Sequence, residues 1–203
     1  MSTIALHPVL VDRLVTRSSR LKNAVLIATG AATVGLLAQV SIPLWPVPIT
    51  GQTLGVMLVG AILGARRGAL SLTTYLVLGV IGLPWFANFS GGPASIISPS
   101  FGYIIGFIPT AFVIGYLSEK QWDRRPALSM AAFGIASIIP FIVGIPYLWV
   151  VLHFAGTTLG FSATLHAGFT PFIIGGIIKW LIGAAVLPGA WTLIERFVKS
   201  NEK

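Results

Sequence analysis

Long uncharged stretches alternate along this chain with short clusters of basic residues. A helix needs about 20 mostly apolar residues to cross the hydrocarbon core of a bilayer. The pattern predicts an all-α integral membrane protein with six transmembrane helices, at about residues 22–42, 51–64, 68–84, 101–118, 128–151 and 171–194. The second stretch is short for a full crossing, which leaves open whether it is tilted, partly sunk or extended by the Pro-rich segment before it.

Composition supports the membrane assignment. Only 9 % of the residues are charged and 55 % are hydrophobic, whereas an ordinary soluble domain is about a quarter charged. No linker interrupts the pattern, so we expect a single membrane domain over residues 1–203, with 1–20 as a cytoplasmic N-terminal segment. The absence of cysteine excludes disulfides and Cys-ligated metal sites.

The distribution of basic residues predicts the topology. A net charge of +8 is compatible with a nucleic-acid-binding surface. However, twelve of the 13 Lys and Arg residues lie in the two terminal segments, between the second and third predicted helices, or between the fourth and fifth. If six helices cross the membrane in turn, these four regions are all on one side. The other three connections carry no charged residue. The positive-inside rule therefore places both termini in the cytoplasm of a multi-pass cell-membrane protein and removes the argument for nucleic acid.

The remaining cation is Lys179, within the stretch TPFIIGGIIKWLIGAAVLP. It lies roughly 10 Å inside the outer end of the last predicted helix, at 1.5 Å per residue. Gly175, Gly176 and Gly183 share its helix face and leave space around it. Two interpretations stay open: the side chain snorkels to the interface, or it meets an anionic ligand such as a carboxylate.

The uncharged outer connections are candidates for a shaped surface. The segment 84–100 contains three prolines and a Gly-Gly pair, so it cannot continue a helix. Loops of this length are often functional. Trp45, Trp85 and Phe86 are typical of interfacial anchors, and the alternative is that they wall a small-molecule pocket.

Three alanines at four-residue spacing, Ala24, Ala28 and Ala32, share one face of the first predicted helix. Small residues allow another helix to approach closely. The face either packs inside this protein's own bundle or docks a separate membrane subunit.

Several motifs resemble one known family. The series "QTLG…GARRGAL…YLVLG…GLPWFA", followed by "SPSFGYIIGFIPTAFVIGYLSE", is similar to the BioY family, the biotin-binding S components of energy-coupling-factor (ECF) transporters. "GIPYLWV" and "AGFTPFIIGGIIKWLIGAAVLP" resemble that family's fifth and sixth helices. The resemblance covers about residues 20–195. It implies a six-helix subunit that captures biotin from outside, has no ATPase site or cofactor, and works with a membrane coupling subunit and ABC-type ATPases.

The resemblance also implies site residues. It places Asn88 and Lys179 at the ligand, Tyr147 as a wall of the site, and Gln52 in a matching motif. The family usually reads PGDxxK where this chain has IGGIIK, so Gly176 replaces an expected acidic residue. The three alanines resemble the face that S components present to their coupling subunit.

Other functions remain alternatives. An S component for another small carboxylated vitamin or a biotin precursor would share these features. A membrane enzyme would need acid, base or metal groups, yet the five acidic residues fall in cytoplasmic or flanking segments. A channel would need a polar or charged pore lining, and Lys179 is the one charged residue in the interior of the predicted helices.

Overall fold

The computed structural model describes residues 8–14, 19–157 and 159–201. In these ranges the chain forms eight α-helices and one short β-hairpin. In chain order they are α1 (Leu10–Leu14), α2 (Arg20–Ala38), β1 (Ser41–Ile42), β2 (Ile49–Thr50), α3 (Gln52–Leu63), α4 (Ala65–Ile81), α5 (Phe101–Glu119), α6 (Pro126–Phe154), α7 (Phe161–Phe169) and α8 (Phe172–Asn201). Single 3-10 turns cover Ala87–Phe89, Pro93–Ile97 and Trp122–Arg124.

The six predicted helices correspond to α2, α3, α4, α5, α6 and α8, with ends displaced by a few residues. Four of them, α2, α5, α6 and residues Phe172–Ile194 of α8, are long and apolar enough to cross a membrane. Helices α3 and α4 have 12 and 17 residues and are shorter. The molecule is therefore an all-α membrane protein, and six crossings remain a prediction.

Two elements of the outer connections were not predicted. The hairpin pairs Ser41 with Thr50 and Ile42 with Ile49 in antiparallel register. Helix α7 has nine residues, which is too short for the membrane-length pattern on which the prediction depended.

Helix α5 packs closely against α3 and the turn between α3 and α4. A methyl group added at Gly60 of α3 would lie 2.5 Å from the carbonyl oxygen of Ala111 in α5. One added at Gly115 would collide with the backbone of Gly64 and Ala65. Glycine at these positions allows the helix backbones to meet, as in other membrane bundles.

Alanine in place of Gly60 should therefore lower the melting temperature of the detergent-solubilised protein, followed by tryptophan fluorescence. The added methyl group meets backbone that cannot rotate away, and overpacking typically costs about 1–3 kcal/mol. Gly189→Ala is the matched control, because no described atom lies within 4 Å of a methyl group added there. A Gly60→Ala protein that melts with the parent would contradict this close packing.

We call the end of the bundle that carries the α3–α4 turn the basic end. Polar contacts join several elements there. The Arg67 guanidinium pairs with the Asp12 carboxylate of α1 at 2.6 Å. Val9, beside α1, is 1 % exposed and belongs to the main core cluster. The Glu119 carboxylate at the end of α5 accepts a hydrogen bond from the Ala65 amide at 2.9 Å. The turn between α3 and α4 therefore lies level with the last residue of α5.

Helix α8 is fastened at the same end. The Trp191 indole donates a 2.6 Å hydrogen bond to the buried carboxylate of Asp123. Burial raises the pKa of the Asp123 carboxyl above its ordinary value, although the Trp191 hydrogen bond and the nearby Arg124 charge act in the opposite direction. The Arg124 guanidinium lies 4.1 Å from the centre of the Trp191 ring. This cluster connects α8 to the turn between α5 and α6.

Candidate ligand-binding site

A cavity of about 460 Å³ opens at the end of the bundle opposite the basic end. Its volume falls in the range of about 300–1,000 Å³ that is usual for small-molecule sites. The apolar part of its lining includes Phe86, Tyr103, Ile104, Phe107, Pro140, Phe141 and Phe172. The polar part includes Thr50, Gln52, Thr53, Asn88, Ser90, Ser95, Ser98 and Ser100. None of the described residues that line the cavity is charged.

The apolar wall is built around Tyr103 of α5. Its ring meets Phe141 edge-on at a centroid distance of 5.8 Å and stacks on Phe172 at 6.1 Å. Its hydroxyl donates to the carbonyl of Gly168 in α7 at 2.9 Å. Gly144 of α6 leaves room for the ring, because an added methyl group would lie 2.5 Å from it. One side chain thus fixes α6, α7 and α8 around the cavity.

Gln52, at the start of α3, lines the cavity as part of a buried polar network. Its Nε2 donates to the Tyr75 hydroxyl at 2.6 Å, and its Oε1 accepts from the Thr50 hydroxyl at 2.8 Å. The Tyr75 hydroxyl donates in turn to the Trp85 carbonyl at 3.1 Å. An amide nitrogen carries two protons, so Gln52 keeps donor capacity towards the cavity while the network holds its orientation.

Asn88 lines the cavity from the segment between α4 and α5. Its backbone is left-handed, with φ 57°, a conformation that asparagine tolerates better than most residues. Among the described residues the Asn88 side chain has no hydrogen-bond partner, so its donors and acceptor are free for a ligand. Phe86 beside it is buried against Gly79 of α4, where an added methyl group would collide with the ring.

Lys179 lies directly behind the polar wall. Its Nζ donates to the Thr50 carbonyl at 2.6 Å and lies 3.5 Å from the Thr53 hydroxyl. Both threonines line the cavity, whereas Lys179 itself does not. The ammonium is thus held by protein at the cavity wall and connects α8 to the start of α3.

The three glycines on the Lys179 face have different surroundings. Gly175 lies close to Ile49, whose Cγ2 would be 3.7 Å from an added methyl group. Gly183 packs closely against Phe133 of α6. A methyl group added at Gly176 would meet no described atom within 4 Å, and Gly176 is outside the cavity lining. The glycines therefore do not form one common floor beneath the lysine.

Tyr147 is also outside the cavity lining. Its hydroxyl donates to the carbonyl of Ile96 in the outer segment. Its ring lies 6.0 Å from that of Phe101 and against Gly102. The side chain fastens the outer segment to α6, so the structure places it as a support for the cavity rim.

The predicted aromatic anchors separate into different environments. Phe86 lines the cavity and is 2 % exposed. The Trp85 indole donates to the Tyr75 carbonyl at 2.9 Å and packs between helices. Trp45 is 71 % exposed, as an interfacial anchor would be.

Ala24, Ala28 and Ala32 are all exposed on α2. The buried residues of α2 lie on an adjacent side of the helix and are Gly30, Ala31, Val34, Gly35 and Ala38. The face shared by the three exposed alanines, which we call the alanine face, is therefore left uncovered by the other described helices of this chain.

Sequence reasoning missed most of the cavity wall. Tyr103, Phe107, Phe141 and Phe172 sit in apolar runs where nothing distinguishes a cavity residue from a lipid-facing one. The serines at 95, 98 and 100 were a usable signal, because they concentrate hydroxyl groups in one uncharged outer segment.

Comparison with known proteins identifies the family. The sequence model described as "BioY family" matches residues 12–196. The chain belongs to the BioY family. The BioY resemblance of the motifs is thereby confirmed.

Individual BioY relatives cover most of the chain. The protein named "Biotin transporter BioY" from Rhizobium etli is 41 % identical over 182 residues, which is 83 % of this chain and 94 % of that protein. A protein of the same name from Thermotoga maritima is 38 % identical over 149 residues, which is 73 % of this chain and 83 % of the Thermotoga protein. The structure also matches a crystal structure at 2.1 Å of "the S-component for biotin from an ECF-type ABC transporter", with a TM-score of 0.72 and 26 % identity over 87 % of this chain and 95 % of that chain.

Proposed function

We propose that this BioY-family protein is the substrate-binding S component of an ECF-type transporter and that its substrate is biotin. The observation that carries the proposal is the 460 Å³ cavity, with aromatic side chains on one side, uncharged polar groups on the other and an ammonium at the polar wall. Biotin has matching chemistry: an apolar bicycle, a polar ureido group and a carboxylate. The names of the relatives support the same substrate.

We assign the ligand contacts by chemistry. Asn88 and Gln52 offer amide donors and acceptors to the ureido group, and Lys179 offers its remaining donor to the carboxylate. Gly176, where the family usually has an acid, supplies no side-chain group, so the polar contacts rest on the amides and the serine hydroxyls. Tyr147 contributes by holding the outer segment at Ile96.

The same proposal includes partners. A membrane coupling subunit would dock on the alanine face, and a pair of ABC-type ATPases would supply the energy, since we assign this chain no ATPase site and no cofactor. The exposure of Ala24, Ala28 and Ala32 supports this, because a docking face has to be free of the protein's own helices.

The proposed topology has six crossings in one membrane domain, with both termini in the cytoplasm. Helices α3 and α5 both begin at the cavity, and Glu119 at the end of α5 binds Ala65, the first residue of α4, just after the end of α3. Helix α3, although shorter, therefore runs between the same two ends of the bundle as α5. The basic residues at the α3–α4 turn then face the cytoplasm.

Cysteines introduced in place of Arg66 and Ile97 should be labelled from opposite sides of the membrane by an impermeant maleimide. Both residues are exposed, and the chain has no cysteine of its own. If only the four long helices crossed, both positions would lie between α2 and α5 on the same side. Equal labelling from outside would therefore contradict six crossings.

Calorimetry on the purified protein tests the substrate. We expect one biotin bound per chain, weaker binding of desthiobiotin because it lacks the sulfur-containing ring, and no binding of thiamine, a cation without a carboxylate. Tight binding of another carboxylated vitamin in place of biotin would favour the alternative S component. The absence of stoichiometric binding of any vitamin would contradict the receptor function.

A further inference from the structure

Gln39, directly after α2, makes an unusual number of contacts with the segment that carries Asn88. Its Nε2 lies within hydrogen-bond distance of three carbonyls, those of Gly35 at 3.0 Å and of Trp85 and Phe86 at 3.2 Å each. Its Oε1 accepts from the Phe89 amide at 2.9 Å. Three of these four backbone groups are 46 or more residues away in sequence.

The backbone that Gln39 binds is in a costly conformation. Asn88 and Phe89 have φ of 57° and 56°, and the left-handed region costs an L-residue roughly 1–2 kcal/mol. Such conformations persist only where the surroundings determine them. Packing of the Phe89 side chain cannot do so, because that side chain is 71 % exposed.

Contacts within the segment hold only its ends. The Phe86 amide donates to the Ser90 carbonyl at 3.0 Å, and the Ser90 amide and hydroxyl both donate to the Ala87 carbonyl. The amide of Phe89 instead donates to a side chain from outside the segment. Among the described residues, that side chain is Gln39. Its Oε1 binds the amide of Phe89 in the left-handed pair, and its Nε2 binds the carbonyls of Trp85 and Phe86 just before that pair.

We infer that Gln39 is a positioning residue: its amide fixes the backbone of residues 85–89, so that Asn88 faces the cavity and ligand affinity depends on Gln39 through Asn88. The inference rests on the proposed function, in which Asn88 contacts biotin. Gln39 itself is not among the residues that line the cavity.

The test combines two measurements on the purified protein. Gln39→Met keeps the length of the side chain and removes all its hydrogen bonds. We expect the Phe89 amide to exchange with solvent about tenfold or more faster in the ligand-free variant, and biotin affinity by calorimetry to fall about tenfold, in line with the net worth of one or two hydrogen bonds. Amides of α5 should keep their protection, which shows that the bundle is folded.

The link through Asn88 needs a double-mutant cycle. In an Asn88→Ala background, Gln39→Met should change affinity less than about twofold, because the group that it positions is gone. Thr33→Val is the control, since its hydroxyl donates within α2 to the Thr29 carbonyl, and it should change neither readout.

Three results would overturn the inference. Unchanged exchange at Phe89 in Gln39→Met means that Gln39 does not hold the segment. An equal loss of affinity with and without Asn88 means that it acts elsewhere, and no loss from Asn88→Ala alone means that the positioned group is not a ligand contact. A parent protein that binds no biotin contradicts the proposed function instead, and the exchange measurement then still decides whether Gln39 holds residues 85–89.

Discussion

Tryptophan in place of Ala28 should abolish biotin uptake by the complete transporter while leaving biotin binding by the purified protein nearly unchanged. Ala28 is exposed at the centre of the alanine face. The large side chain therefore has room in the isolated protein. In the assembled transporter it would separate α2 from the coupling subunit, where small residues allow close approach.

The comparison needs both uptake and binding. Surface substitutions typically change stability by less than about 0.5 kcal/mol, and Ala28 does not line the cavity, so binding should stay within about twofold of the parent. Ala185→Trp is the matched control: Ala185 is also exposed, but it lies on α8 beside large exposed residues such as Leu181 and Val186. It should leave uptake intact. Loss of binding together with uptake in Ala28→Trp would mean that the substitution damages this chain, and normal uptake would mean that the alanine face is not a docking surface.

Methionine in place of Lys179 should weaken biotin binding by about 10- to 150-fold. That range corresponds to the roughly 1.5–3 kcal/mol of a hydrogen bond to a charged group. The Lys179 ammonium has three protons, and the structure uses two of them, for the Thr50 carbonyl at 2.6 Å and, at 3.5 Å, for the Thr53 hydroxyl. A ligand carboxylate in the cavity would take the remaining proton and gain the charge attraction.

Uncharged biotin derivatives separate this role from a structural one. The Lys179 contact also connects α8 to the start of α3, so its loss could disturb the cavity for every ligand. The amide and methyl ester of biotin never formed the ion pair, and they should lose much less affinity than the acid. Lys120→Met is the control, because Lys120 sits over the Tyr116 ring in the last turn of α5. Equal losses for acid and amide would show that Lys179 acts by holding the wall together.

The sequence alone predicted those features that depend on short, continuous stretches of the chain. Burying a helix in lipid requires a continuous apolar run, and the six predicted runs correspond to α2, α3, α4, α5, α6 and α8. A charged residue within such a run is costly and therefore conspicuous, which is how Lys179 stood out. The motif resemblance added Asn88 and Gln52, and both line the cavity.

Only the tertiary structure decided which groups meet. Tyr147, predicted as a wall, supports the rim through Ile96, and Gly176 lies outside the cavity. Gln39 attracts no attention in sequence, yet its amide binds backbone 46 and more residues away. Apolar side chains at the cavity and at the lipid surface look alike in sequence because both avoid water. What separates them is the packing of α5, α6 and α8 around Tyr103, and that depends on contacts between distant segments that no local pattern encodes.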